Sequence, residues 1–244
     1  MAGKIFVIGI GPGSPAMMSG EAKLYIEESD IIVGYTLYVD LIRGAYPEKP
    51  VFTTGMRSEI ERCRKCYELA EEGTAVALVC SGDAGVYGMA SPVLELGEEF
   101  PDIEVQVVPG ITAANSGAAV LGAPLNHDYC LISLSDLLTP WSVIERRIRS
   151  AVQGDFAVAV YNPSSKKRAD YLQRMVDIML DAGTNPERAC GYVENIGRSG
   201  TKAVTCTLAE LRDAKANMFT TVFVGNSRTY IRDGKMITPR GYEL

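Results

Sequence analysis

Apolar positions along this chain follow an alternation of strand and helix periods. Lys4–Ile10 is a nearly continuous apolar run, as a strand buried on both faces reads, and it ends in Gly9-Ile10-Gly11-Pro12-Gly13. A helical period covers Gly20–Glu28, followed by a short strand at Asp30–Val33, a helix at Leu37–Arg43 and a strand at Pro50–Thr53. Arg57–Glu72 reads as a long amphipathic helix closed by Gly73. Ala75–Cys80 is the next buried strand and runs into Ser81-Gly82-Asp83. Glu104–Val108 ends at Pro109-Gly110, and Thr112–Leu121 is a helix of small residues. Strand–helix alternation of this kind predicts a mostly parallel sheet covered by helices.

Gly122-Ala123-Pro124-Leu125 interrupts the pattern, which places a boundary there and predicts two α/β domains, 1–122 and 123–244. The second half restarts with a strand at Tyr129–Ser133, a helix at Trp141–Val152 and a strand at Phe156–Tyr161. A helix at Lys166–Asp181 and strands at Ala189–Glu194, Ala203–Thr207 and Thr221–Gly225 follow, with a short helix at Leu208–Ala214. Thr229–Ile237 reads as a hairpin around Asp233-Gly234. There is no internal repeat and no low-complexity linker.

Composition narrows the function classes. The 244 residues are 47% hydrophobic and 22% charged, which excludes a disordered chain. A net charge of −6 argues against sequence-independent nucleic-acid binding. No apolar run approaches the roughly 20 residues of a membrane helix. The start of the chain lacks the layout of a signal peptide, so a cytoplasmic protein is expected. Cys63-Arg64-Lys65-Cys66 has the spacing of a metal or redox pair, but it falls inside a helix with no second pair in zinc spacing. With His127 the one histidine, no metal site is expected.

Candidate chemistry sits in the loops that follow strands, where open α/β sheets bind ligands. Gly9-Ile10-Gly11-Pro12-Gly13-Ser14 resembles a dinucleotide turn, but Ser14 stands where a third glycine belongs. No acidic residue ends the next strand either, so a nicotinamide-dependent oxidoreductase rests on this turn alone. In Ser81-Gly82-Asp83-Ala84-Gly85-Val86-Tyr87-Gly88 the glycines allow close backbone approach. Asp83 has two open readings: an acceptor for ligand hydroxyls or an ammonium, or a local cap for the following helix. Pro109-Gly110-Ile111-Thr112-Ala113-Ala114 is a tight turn into a small-residue helix. Ser135 and Asp136 follow the first strand of the second half, and Tyr161-Asn162-Pro163-Ser164-Ser165 ends the next one. Thr139 before Pro140 reads as a helix start, whereas Asp136 has no evident capping duty.

Together, Gly9-x-Gly11-Pro12-Gly13, Ser81-Gly82-Asp83-x-x-Val86-Tyr87-Gly88 and Pro109-Gly110-Ile111-Thr112-Ala113 resemble the tetrapyrrole (corrin/porphyrin) methylases. Narrower strings lie in the second half: Gly122–Asp128, Ile132–Trp141, Tyr161–Ser165 and Thr238–Tyr242. These are similar to the branch that methylates C17 of precorrin-3B and to its anaerobic counterpart acting on cobalt-factor III. The resemblance covers essentially the whole chain. It implies two α/β domains with S-adenosyl-L-methionine in a cleft between them, a homodimer and a corrinoid-precursor substrate.

Carried over by position, the resemblance puts Pro12, Gly82, Asp83, Val86, Thr112 and Ala113 on the cofactor from the first domain. From the second it adds Tyr161, Asn162, Gly197, Thr220 and Thr221. Some sister enzymes carry an acid near Gly34-Tyr35; without one here, the resemblance implies Tyr35 or Tyr38 as a substrate contact instead. Arg57, Arg198 and Ser135 are further substrate candidates, since an arginine fork matches a carboxylate. Other basic clusters, Arg62, Arg64 and Lys65 on one helix and Lys166, Lys167 and Arg168 after Asn162, could also meet substrate carboxylates, but most such residues read as solvated faces. The ring contraction that accompanies C17 methylation in this branch calls for a proton acceptor, and Asp136 and His127 are the candidates. The simpler readings are a loop cap for Asp136 and a turn residue for His127. A non-catalytic tetrapyrrole-binding carrier is the remaining alternative to an enzyme.

Overall fold

The computed structural model describes residues 3–165 and 167–243. The chain divides into two compact units, 1–113 and 114–244. In the first run β1 (Lys4–Gly9), α1 (Gly20–Glu28), β2 (Ile31–Tyr35), α2 (Thr36–Ile42), β3 (Val51–Thr54), α3 (Glu59–Glu71), β4 (Ala75–Cys80), α4 (Ala90–Leu96) and β5 (Glu104–Val108). The second holds α5 (Ala113–Leu121), β6 (Gly122–Ala123), β7 (Tyr129–Ser133), α6 (Trp141–Gln153), β8 (Ala157–Tyr161) and α7 (Tyr171–Asp181). It continues through β9 (Ala189–Glu194), β10 (Lys202–Thr207), α8 (Leu208–Leu211), β11 (Thr220–Val224), β12 (Tyr230–Arg232) and β13 (Lys235–Ile237). The helix expected from Lys166 begins at Tyr171, and Lys166 itself lies outside the described residues.

The first sheet has the order β3-β2-β4-β1-β5, with every pairing parallel. Its central strands are apolar throughout because each serves two cores. Ile5 and Val7 of β1 join one cluster with Val76 and Leu78 of β4, while Phe6 and Ile8 join the other with Ala77 and Val79. Parallel direction brings the loops after all five strands to one edge.

The second sheet, β10-β9-β11-β8-β7, is mixed: β7 and β8 run parallel, while β11 is antiparallel to both β8 and β9. The ends of β7, β8 and β9 therefore share an edge with the beginning of β11. The core on one face is closed by Ile144 and Ile148 of α6 and by Leu172, Met175 and Met179 of α7.

Helix α5 packs with this second unit, so the division falls before it rather than after it at Gly122. Gly117 supplies the reason: a Cβ there would come within 2.8 Å of the Phe223 ring. The Gly122–Ala123 interruption is itself a strand, pairing in parallel with β13 in a small third sheet. Gly122 adopts φ +124° there, and a side chain would collide with the Met236 carbonyl, 2.7 Å from the added Cβ. A glycine read as a breaker is thus required by a close backbone approach.

Candidate active site

Three loops of the first unit are joined backbone to backbone. Gly82 N–H donates to the Gly11 carbonyl at 2.7 Å, and Gly11 N–H returns a bond to the Gly82 carbonyl at 3.0 Å. Both residues have φ +74°, a conformation that favours glycine. Gly110 lies so close that a Cβ on it would stand 2.1 Å from the Gly82 oxygen. The glycine turn after β1 is thus spent on loop–loop pairing. It opens into Pro15–Met17, capped by the Ser14 hydroxyl, while α1 starts only at Gly20. The turn does not present a helix N-terminus to a pyrophosphate, which removes the oxidoreductase reading.

Asp83 fastens the same cluster. Its Oδ1 accepts from the amides of Gly85 (2.8 Å) and Val86 (3.1 Å), and its Oδ2 from the amide of Gly110 (2.9 Å). Of the two readings open for Asp83, local capping describes this geometry, with an added bond across to the loop after β5. A Cβ at Gly82 would make ordinary contact with the backbone after β5: Thr112 Cα and Ala113 N at 3.7 Å and the Ile111 carbonyl at 4.0 Å. Gly82 thus lies directly against the Thr112–Ala113 backbone, close enough that a side chain would occupy the space between the two loops. Pro12 is buried beside Gly11, and Val86 is half-buried. Tyr35 and Tyr38 meet edge-on after β2, with centroids 5.1 Å apart at 86°. Arg57 is exposed at φ +69° in the turn leading to α3.

Side chains, rather than backbone, build the corresponding edge of the second unit. Asn162, at φ +53°, donates through Nδ2 to Ser133 Oγ at 2.9 Å, and Ser135 N–H donates to the same oxygen at 3.2 Å. The Tyr161 hydroxyl accepts from the Ala114 amide at 2.8 Å and so caps the start of α5. Thr220 and Thr221 are buried at the beginning of β11; the register pairs Val222 with Val160 and sets Thr221 beside Tyr161. Gly197 (φ +68°) turns the loop after β9, where Arg198 lies over the Phe219 ring at 5.2 Å.

Neither proton-acceptor candidate suits that task. Asp136 accepts from Arg168 Nε and, at 2.5 Å, from the Tyr171 hydroxyl. The Tyr171 bond, and then the Arg168 guanidinium, hold its carboxyl below the usual carboxylate range despite partial desolvation. That is an anchored anion rather than a base poised near neutrality. His127 is an exposed turn residue at φ +88° that precedes β7. It precedes the start of β7, whereas Ser133 is at that strand's end, and Asn162 follows the parallel strand β8 at the same edge as Ser133.

Arg62 and Arg168 are exceptions to the expectation that most basic residues form solvated faces. Arg62 is buried and donates to Thr54 Oγ1 (2.9 Å) and the Gly55 carbonyl (3.1 Å), pinning the loop after β3. Arg168 holds Asp136; the missing capping duty of Asp136 was the one sequence signal for such a partner. Cys63 and Cys66 are buried on α3 as ordinary helix residues, and burial pushes the Cys63 thiol up to about 11 and Cys66 further. Among the described residues no cluster of three or more His, Cys, Asp or Glu could hold a metal ion.

Comparison with known proteins agrees with this layout. The chain is 48% identical over 98% of its length, and 99% of the relative's, to a probable cobalt-factor III C(17)-methyltransferase of Salmonella typhimurium. It is 39% identical to a protein of the same description from Methanocaldococcus jannaschii, over 98% of this chain and 97% of that one. The crystal structure of the methyltransferase CobJ superposes with a TM-score of 0.90 at 38% identity, covering 98% of this chain and all of that one. The family of Tetrapyrrole (Corrin/Porphyrin) Methylases matches residues 4–212. With that match spanning most of both units, the chain belongs to the tetrapyrrole methylases.

Proposed function

We propose that this protein transfers a methyl group from S-adenosyl-L-methionine to C17 of cobalt-factor III or precorrin-3B, with the coupled ring contraction, in cobalamin biosynthesis. The observation that carries this reading is the 48% identity, across nearly the full length of both chains, to a probable cobalt-factor III C(17)-methyltransferase. A uroporphyrin-III C-methyltransferase of Thermus thermophilus with the same fold, at 19% identity, is described in complex with S-adenosyl homocysteine. We further infer a homodimer working in the cytoplasm.

When bound, S-adenosyl-L-methionine supplies an electrophilic methyl on a positive sulfonium. Gly82, Thr112 and Ala113, whose backbones approach one another closely, would form the wall that holds it in the first unit. In this reading Pro12 and Val86 complete that wall, and Tyr161, Asn162, Gly197, Thr220 and Thr221 are the contacts from the second unit. Asp83 serves by fixing the Gly82–Val86 backbone. Three of its roughly four acceptor positions are used by amides, leaving about one for a ligand donor. Keeping this carboxylate off the sulfonium is favourable, because a charge partner there would stabilise the ground state more than the transition state. No protein nucleophile is needed for methylation of an electron-rich ring carbon. The work of the residues is to align that carbon with the methyl, an effect worth up to roughly 7–11 kcal/mol.

Incubation of the purified protein with S-adenosyl-L-methionine and each macrocycle, followed by mass spectrometry, tests the reading. A product heavier by one methyl group is expected, and the macrocycle that turns over assigns the cobalt-loaded or metal-free route. Tetrapyrrole binding without methyl transfer would make the protein a carrier.

A further inference from the structure

Two helices of the second unit begin with aromatic residues that meet. Trp141 opens α6 and Tyr171 opens α7, and their rings lie 4.6 Å apart. The guanidinium of Arg174 rests on this pair, 3.9 Å from the Trp141 centroid and 5.0 Å from that of Tyr171. Stacking fixes the plane of the fork and strips water from one face. Arg168, nearby, spends its charge on Asp136. The Arg174 side chain makes no hydrogen bond or ion pair with any described residue, so its N–H donors stand open.

The loop leading into this platform is apolar at its tip. Leu137 is 57% exposed and Leu138 93% exposed. Single exposed leucines are ordinary. Here two successive ones are held out on a strap tied at both ends, by Asp136 to Arg168 and Tyr171, and by Pro140 at the start of α6. An ordered apolar tip beside an open, pre-oriented cation is complementary to a ligand with a flat apolar face and an anionic rim. A tetrapyrrole with carboxylate side chains has that form.

We infer that this junction is a macrocycle-recognition element, in which Leu137 and Leu138 lie against the ring face and Arg174 takes a rim carboxylate. The inference rests on the methyltransferase reading above and adds residues that reading does not assign. Fixing the strap and the fork before binding reduces the ordering cost of association.

Steady-state kinetics of the full-length protein with S-adenosyl-L-methionine and cobalt-factor III or precorrin-3B test it, alongside calorimetry with S-adenosyl homocysteine. Arg174→Gln should raise the KM for the macrocycle about tenfold while leaving kcat within about twofold, the size of one lost charge-assisted contact. Arg174→Lys should recover part of the loss, and added salt should narrow the gap between wild type and Arg174→Gln. Replacing Leu137 and Leu138 together by serine should raise the same KM without that salt dependence. Affinity for S-adenosyl homocysteine should be unchanged in every variant. An unaltered macrocycle KM in both the arginine and leucine variants, with active wild type, overturns the inference and leaves the methyltransferase reading standing. A leucine variant that loses self-association at unchanged KM assigns the tip to a second copy of the chain and also overturns it. Wild type inert on both macrocycles overturns both readings.

Discussion

The strand-end loops of the two units solve the same problem with different material. In the first unit Gly11, Gly82 and Gly110 bring backbones into direct contact, and Asp83 binds backbone amides across them. In the second, Ser133, Asn162, Asp136, Arg168 and Tyr171 reach one another through side chains. A backbone-built edge tolerates almost no added atom, whereas a side-chain-built edge loses one contact at a time. The first should therefore fail abruptly on substitution and the second by degrees.

The largest effect is expected at Gly110. Gly110→Ala drives a Cβ to 2.1 Å from the Gly82 carbonyl, so the loops must part. Urea unfolding should register a loss of about 3 kcal/mol or more, and S-adenosyl homocysteine binding should vanish. A variant that unfolds and binds like wild type would show that the close packing of these loops is dispensable.

Asp83→Ala comes next. It strands three amides and should cost about 3 kcal/mol, with Asp83→Asn recovering part of it. Hydrogen exchange at Gly85, Val86 and Gly110 reads this directly; unchanged protection at all three would refute the fastening role.

Asp136→Asn probes the side-chain-built edge and should cost about 1 kcal/mol. Because the folded carboxyl titrates below its ordinary value, its stabilisation is fully present above the ordinary carboxylate pKa. It disappears as pH falls through the lower, folded value. Unfolding measured from neutral to acid pH should thus show a wild-type advantage that starts to shrink below about pH 4, where the unfolded carboxyl protonates, and closes once the folded one protonates too. An advantage that persists in acid would break the ion-pair account.

The smallest effect is a gain away from both edges. Thr184 is 7% exposed and its Oγ1 has no hydrogen-bond partner among the described residues. Thr184→Val keeps the shape, removes a buried unpaired hydroxyl and should stabilise by about 1 kcal/mol with ligand binding unchanged. Thermal unfolding checks it; destabilisation would mean that a water satisfies the hydroxyl.

The contrast between the edges also explains what could be read in advance. The glycine motifs of the first unit were visible because a backbone contact demands a particular residue type at a particular place. Asp136 was visible as a carboxylate without a duty, but Arg168 lay in a basic run indistinguishable from a solvated face. His127 drew attention through its chemistry, and only its position before β7 set it on the far edge. Gly122 looked like a break because its parallel partner, β13, is distant in sequence.

By itself, the sequence determined the alternation of strands and helices, the strand faces that enter the cores, and the motifs that carry the family resemblance. These follow from local periodicity and from the conformational freedom of glycine, both of which act over a few residues. Tertiary structure alone decided the order and direction of the second sheet, the seating of α5 with the second unit, and the partners of Asp136 and Arg174. Each of those choices is set by contacts between distant segments, and the same hydrophobic pattern is compatible with several such arrangements.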